Sequence, residues 1–240
     1  MYNLVMINKL KSAINNANKI VFFTGAGMST DSGIPDFRSE TGLYKNNLHA
    51  EEIISHGYFM RNPKEFYEFY KDKMIFENAK PNYGHNFIAK LQETKDVKVV
   101  TQNIDGLHQM AGSKYVYELH GSIHRNYCMK CHKFYGLDSI TSQKGIPYCG
   151  CGGIIKPDVV LYEEGLDEET ITNAINAIQE ADLLIILGTS LNVYPAAGFI
   201  RYFRGNTLAI INKSQTAQDS ACDIVIHDSI SKTFEELSKL

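Results

Sequence analysis

Lys19-Ile-Val-Phe-Phe-Thr24 carries an unbroken apolar run, Ile20–Phe23, at strand length and stops on Gly25-Ala26-Gly27. A strand apolar at nearly every position has to be covered on both faces, and glycines at its carboxyl end mark the edge where open α/β sheets take their ligands. Val97–Thr101, Leu183–Leu187, Leu208–Ile211 and Ile224–Ile226 repeat the pattern. Helical periodicity runs through His85–Glu93 and Glu168–Glu180 between them, and through Leu4, Ile7, Leu10 and Ile14 ahead of them. The alternation predicts an α/β fold, a parallel sheet with helices on both faces, opened by strand, loop and helix. At 240 residues the chain is long enough to bury such a core without disulfide staples.

The dinucleotide fingerprint G-x-G-x-x-G puts a third glycine where the helix packs on the strand, and here Thr30 stands in that place, with Gly33 next. The sheet is therefore Rossmann-like, with a loop that departs from those of hydride-transferring dehydrogenases. Backbone N–H groups over Gly25, Ala26 and Gly27 suit a pyrophosphate at a helix N-terminus; the plainer alternative is a tight turn with no ligand. Pro35 then fixes φ and breaks any helix, and Asp36, Phe37 and Arg38 follow in a row too polar for a strand. A lid fits this segment, with Phe37 shielding a reacting carbon from water and Arg38 meeting phosphate or ribose through its planar fork of donors.

Three further loops sit at predicted strand ends: Thr101-Gln102-Asn103-Ile104-Asp105, Gly188-Thr189-Ser190, and Asn212. Each alone has a plain reading, such as Asp105 capping the next helix. Together at one sheet edge they make a site.

Cys128-x-x-Cys131, seventeen residues, then Cys149-x-Cys151 bring four thiols together at zinc-ribbon spacing. Cys128-Met-Lys-Cys131-His132 also matches a c-type haem attachment pattern, which needs an exported chain, and a redox disulfide leaves Cys149 and Cys151 unexplained. Four thiolates close the coordination shell of Zn2+, so the metal would be structural. A formal net charge of −3 with dispersed lysine and arginine argues against nucleic acid as a partner. No run approaches the roughly 18 apolar residues that span a bilayer, and the start of the chain lacks a signal-peptide pattern, so a cytoplasmic protein without membrane partners is expected. Residues 1–35, 80–120 and 157–240 are read as a discontinuous nucleotide-binding core, 36–79 as a lid and helical insert, and 121–156 as a zinc-binding insert.

Taken in order, Gly25-Ala26-Gly27, Gly33 to Arg38, Thr101 to Asp105, Leu119-His120-Gly121, the four cysteines and Gly188-Thr189-Ser190 make the chain resemble the sirtuins, NAD-dependent protein lysine deacylases, from about Lys19 to Asn212. The resemblance implies that Ala26, Thr30, Phe37, Arg38, Gln102, Ile104, Asp105, Thr189, Ser190 and Asn212 line the NAD site. Ile104 and Asp105 would hold the nicotinamide carboxamide, Asn103 would position a water, and His120 would be the general base. A neutral imidazole titrating near pH 7 suits removal of a proton from a ribose hydroxyl. The implied products are nicotinamide, free lysine and O-acyl-ADP-ribose, with protein mono-ADP-ribosyl transfer as the alternative on the same fold.

The resemblance also implies that acyl-lysine proteins or peptides are held as an added strand between Pro157–Tyr162, with Val159, Leu161 and Tyr162, and Leu191–Tyr194, with Val193. Where the family has glycine after the first segment, this chain has Glu163; the acids from Glu163 to Glu169 are read as favouring the following helix N-terminus. Tyr70-Lys71-Asp72-Lys73 keeps the tyrosine of succinyl-preferring members and exchanges their arginine for lysine, which implies a deacetylase with weaker activity on succinyl-lysine; the equal alternative is that Lys73 lies on a solvated helix face.

Overall fold

The computed structural model describes residues 2–37, 42 and 49–239. Helix α1 (Tyr2–Asn16) leads into β1 (Lys19–Thr24); short helices α2 (Ala50–Ile53), α3 (His56–Arg61) and α4 (Pro63–Lys73) precede α5 (Tyr83–Leu91) and β2 (Asp96–Thr101). After α6 (Leu107–Met110) come β3 (Val116–Glu118), β4 (Gly121–Cys128), β5 (Phe134–Tyr135), α7 (Asp138–Thr141) and β6 (Ile155–Val159). The chain closes with α8 (Glu168–Glu180), β7 (Leu183–Leu187), β8 (Thr207–Ile211), β9 (Ile224–Ile226) and α9 (Ile230–Lys239).

Six strands form one sheet in the order β3-β2-β1-β7-β8-β9, every neighbouring pair parallel. Side chains alternate across a strand, so Phe22 joins α1, α5 and α9 on one face, with Ile7, Leu10, Ile14, Ile88 and Phe234. Val21 and Phe23 join the other face, with Ala174, Ala177 and Ile178 of α8. Cover on both sides is why these strands read as continuous apolar runs. Leu4 departs from the expected stripe: it is 53% exposed, and the packing of α1 begins at Met6 and Ile7.

β5, β4 and β6 form a separate antiparallel sheet in that order. Phe59, Phe66, Tyr67 and Tyr70 from α3 and α4 pack on its Ile123, Ile155 and Val159, so the helical and cysteine-bearing inserts share one core. The pairing of β6 with β4 runs on to Gly121 opposite Val159.

At the start of α5, the Asn82 side chain accepts the amides of Gly84 and His85, and the His85 Nδ1 accepts the Asn82 N–H at 3.3 Å, a reciprocal cap that holds His85 fully buried. Burial holds His85 down at about 4 and pushes His108 well below the ordinary 6.5, His85 adding to the latter. Both rings therefore stay neutral in the fold, and the unfolded chain takes up protons first as pH falls. Stability is expected to be full above pH 6.5 and to drop by about 3 kcal/mol for His85 alone as pH falls toward 4, measurable by urea unfolding across that range. A midpoint that does not move between pH 7.5 and 5 would refute this.

Candidate active site

β1 and β7 are neighbours whose chains turn to opposite halves of the sheet, which makes their carboxyl ends the topological switch point. The loops after them touch through bare backbone. The Gly25 N–H donates to Leu187 O at 3.0 Å and the Gly27 N–H to Gly188 O at 2.8 Å. A Cβ on Gly27 would lie 2.7 Å from Gly188 Cα, and Gly188 itself is left-handed at φ 60°. Gly25 and Gly27 thus serve loop-to-loop contact, and of the three loop amides only that of Ala26 has no acceptor among the described residues. Gly27→Ala is expected to cost about 1–3 kcal/mol and to open the site, lowering both Tm and activity; an unchanged Tm would contradict the contact.

The helix expected after this loop is replaced by two 3-10 turns, Ala26–Met28 and Thr30–Ser32. Thr30 Oγ1 donates back to Gly27 O at 3.1 Å, and Gly33 ends the second turn at φ 86°.

Ser29, absent from the sequence-based site, organises the floor. Its Oγ donates to Asp105 Oδ2 at 2.6 Å and accepts from Asn103 Nδ2 at 3.1 Å. Asp105 Oδ1 also accepts the Leu107 N–H at 2.9 Å, so this carboxylate both holds Ser29 and helps start α6. Burial raises the Asp105 pKa, against the pull of those two donors. Gln102 Nε2 donates to Thr189 Oγ1 at 3.1 Å, tying the β2 loop to the β7 loop.

His120 stands where the two sheets meet, its backbone carbonyl accepting the Val160 N–H at 3.0 Å. Its Nδ1 lies 2.9 Å from Gln102 O. A carbonyl only accepts, so Nδ1 carries the hydrogen and Nε2 of the neutral ring is left with a lone pair. Burial lowers the pKa of His120, partly opposed by the Gln102 carbonyl, and favours that neutral form.

Ser29, Gln102, Asn103, Asp105, Thr189 and His120 line a cleft of about 880 Å³. Its wall includes Gly25, Ala26, Gly27, Thr30, Asp36, Phe37, Gln102, Asn103, Ile104, Asp105, His120, Gly188, Thr189, Ser190 and Asn212. It also includes Val159, Leu161, Tyr162, Val193 and Lys73. Arg38 lies outside the described residues. Tyr70 does not reach the wall: it is fully buried, stacked on Phe66 at 5.5 Å, behind the surface that Lys73 and Met74 present. Lys213, Ser214, Gln215 and Asp228 line the cleft as well; their signal was their place just past strand ends β8 and β9.

The strap from Leu161 to Glu164 is held in place by pairing. The Tyr162 N–H and C=O bond to Ile54 O and His56 N at 3.1 and 2.9 Å, and the Leu161 N–H donates to Glu164 Oε2 at 2.9 Å. Glu163 adopts φ 75°, the conformation a glycine would take, and its Oε2 accepts the Gly57 N–H at 2.8 Å, which offsets the strain. Glu163 and Glu164 therefore brace the strap, and Asp167 caps α8 by accepting the Thr170 N–H at 2.7 Å. Leu191–Tyr194 is irregular, with Leu191 at φ 55°.

The four sulfurs of Cys128, Cys131, Cys149 and Cys151 all lie within 4.8 Å of one another, Cys128 to Cys151 at 3.5 Å and Cys131 to Cys149 at 3.6 Å. Tetrahedral Zn2+ at about 2.3 Å from each sulfur sets S–S edges near 3.8 Å, so the donor set fits. The Cys151 amide and the Tyr135 hydroxyl pull the Cys149 thiol down to about 6. Although the Gly153 amide acts to lower it, the Cys151 thiol is driven up to about 12 by its sulfur neighbours, the repulsion a bound cation would relieve.

The family model described as Sir2 family matches residues 25–195. The NAD-dependent protein deacetylase of Clostridium acetobutylicum is 59% identical over 242 residues, covering 98% of this chain and 99% of its own length. That of Clostridium perfringens is 60% identical over 233 residues, covering 94% and 96%. A solved Sir2–p53 peptide–NAD+ complex superposes with a TM-score of 0.85 at 36% identity, covering 97% of each chain. Agreement that runs nearly end to end, at more than half of the positions in the first two relatives, has one meaning: the chain belongs to the Sir2 family.

Proposed function

We propose that this chain is an NAD-dependent protein lysine deacetylase. The observation that carries the reading is His120: a neutral imidazole, hydrogen on Nδ1, lone pair on Nε2, set in a cleft between a nucleotide-type sheet edge and a peptide-type strap. Relatives covering almost the whole chain are NAD-dependent protein deacetylases, and a structural neighbour holds a peptide and NAD+ together. The cleft volume fits a dinucleotide. Bound NAD supplies the ADP-ribosyl group that accepts the acyl group as nicotinamide leaves.

The chain's own part is binding, exclusion of water and proton transfer. Ala26, Thr30, Gln102, Thr189, Ser190 and Asn212 hold the dinucleotide, with Gly25, Gly27 and Gly188 allowing the approach. Ile104 and Asp105 receive the carboxamide, Asn103 orients a water, and Asp36 and Phe37 close over the reacting end. His120 Nε2 takes a hydroxyl proton. The acylated peptide lies along Val159, Leu161, Tyr162 and Val193, using the Glu163 amide and carbonyl, which have no partner among the described residues. Cys128, Cys131, Cys149 and Cys151 hold Zn2+ as a structural ion, and keeping them as thiolates suits a cytoplasmic site of action. The described part of the insert 36–79 and the insert 121–156 are assigned to one smaller module on the nucleotide-binding core, a reading their shared apolar cluster supports.

The test is incubation with NAD and an acetylated peptide, following nicotinamide, free-lysine peptide and acetyl-ADP-ribose by mass spectrometry. All three appear together if the reading holds, and NAD left intact beside untouched peptide ends it. Lys73 lines the acyl end of the cleft but pairs with Asp72 at 2.8 Å, and Tyr70 is sealed behind it, so succinyl-lysine is expected to be the poorer substrate. Lys73→Ala is expected to lower succinyl relative to acetyl kcat/KM by about threefold, a modest effect for a half-exposed charge. An unchanged ratio removes the role.

A further inference from the structure

Two imidazoles that this chemistry leaves unused lie beneath the loop bearing Asn103. His85 and His108 are 0% and 1% exposed, their ring centroids 4.7 Å apart. Each has one engaged ring nitrogen and one buried without a partner: Nε2 of His85 and Nδ1 of His108. These two nitrogens make no hydrogen bond to each other, so whatever ties the rings to the loop runs through their engaged sides.

The tautomers follow from the engaged sides. His85 Nδ1 accepts the Asn82 N–H, so in the neutral ring the hydrogen sits on Nε2. The Thr24 hydroxyl hydrogen goes to Thr101, so toward His108 the Thr24 oxygen accepts: the His108 hydrogen sits on Nε2, which donates to Thr24 Oγ1 at 3.1 Å. The Thr24 hydroxyl donates to Thr101 Oγ1 at 2.7 Å, and the same oxygen accepts the Asn103 backbone N–H at 3.0 Å. The opposite His108 tautomer would leave the Thr24 hydroxyl facing two acceptors with one hydrogen. Burial keeps both rings neutral.

We propose that His108 heads a one-way hydrogen-bond relay which, through Thr24 and Thr101, fixes the Asn103 backbone, so that His108 is a positioning residue for the loop Gln102–Asp105, with the His85 ring packed against it. The kinetic part of this inference rests on the deacetylase reading; the tautomers do not.

The decisive measurement is long-range 15N–1H NMR of the imidazoles in the full zinc-replete chain, assigned with His85→Gln and His108→Gln. Both rings are expected neutral with hydrogen on Nε2 at pH 7. Hydrogen on His108 Nδ1, or an imidazolium there, overturns the relay whatever the activity. In kinetics, Thr24→Val and His108→Leu are each expected to lower kcat about tenfold, with KM for the acetylated peptide within about twofold, because the reacting end is misplaced while the strap is untouched. His108→Gln, whose amide N–H reaches the Nε2 position, is expected to recover most of kcat. A packing role would instead favour leucine over glutamine. Wild-type kcat in a Thr24→Val protein shown folded by thermal unfolding, or leucine outperforming glutamine, overturns the proposal. Should His108→Leu fail to fold, Thr24→Val and the spectra still decide. A wild type that frees no nicotinamide strikes the deacetylase reading alone, and the spectra then judge the relay.

Discussion

His120→Ala is expected to lower kcat for deacetylation by about 10²- to 10⁴-fold while the protein stays folded. The ring contributes one hydrogen bond to the fold, to Gln102 O, and lies at the cleft wall rather than in either core, so its removal costs chemistry far more than stability. The pH profile adds a second readout. The working form is neutral, and burial places its pKa below the ordinary 6.5, so activity is expected to be full at neutral pH and to fall only as pH drops through that lowered value. The acid limb of kcat/KM should therefore have its midpoint under 6.5 in the wild type. Near wild-type turnover in the alanine variant, or an acid midpoint above 6.5, would remove His120 from the role.

Stripping the metal is expected to have an effect of the same order. Cys128 is fully buried in the core that joins α3 and α4 to the small sheet, and β4 starts at Gly121, directly after His120. Loosening the cluster therefore loosens the peptide strap and the base together. Structural zinc in small domains is worth about 10–16 kcal/mol of apparent binding free energy, more than the remaining contacts of this module can replace. Elemental analysis is expected to find one zinc per chain, and a strong chelator or Cys149→Ser to cut activity more than about 100-fold and lower Tm. Retention of full activity by metal-free protein would show that the module stands on its apolar core alone.

The parallel sheet was legible because strands buried on both faces leave continuous apolar runs. β7, β9 and α8 fall where the pattern puts them, and β2 and β8 begin one residue earlier. The loops after β1, β2, β7 and β8 were legible for a related reason, since polar residues placed just past such runs converge at one edge. What stayed hidden depends on contacts between distant segments. No local rule separates Leu4 from Ile7, and none reveals that Gly25 and Gly27 face Gly188. Tyr70 and Lys73 are three positions apart on one helix, yet one is sealed in the core and the other lines the cleft. Ser29 and the His85–His108 pair carry no motif at all, because each acquires its meaning from a partner more than twenty residues away.

The register Ile20 opposite Leu183 has a consequence for biosynthesis. β1 leaves the ribosome ahead of the other five strands of its sheet yet is destined for the middle, and one flank of it waits for a mate made some 160 residues later. Until then Lys19–Thr24 offers an open apolar border of the sort that seeds clumping between nascent chains. Translation products cut short before Leu183 should accordingly precipitate or bind chaperones rather than accumulate as smaller enzymes.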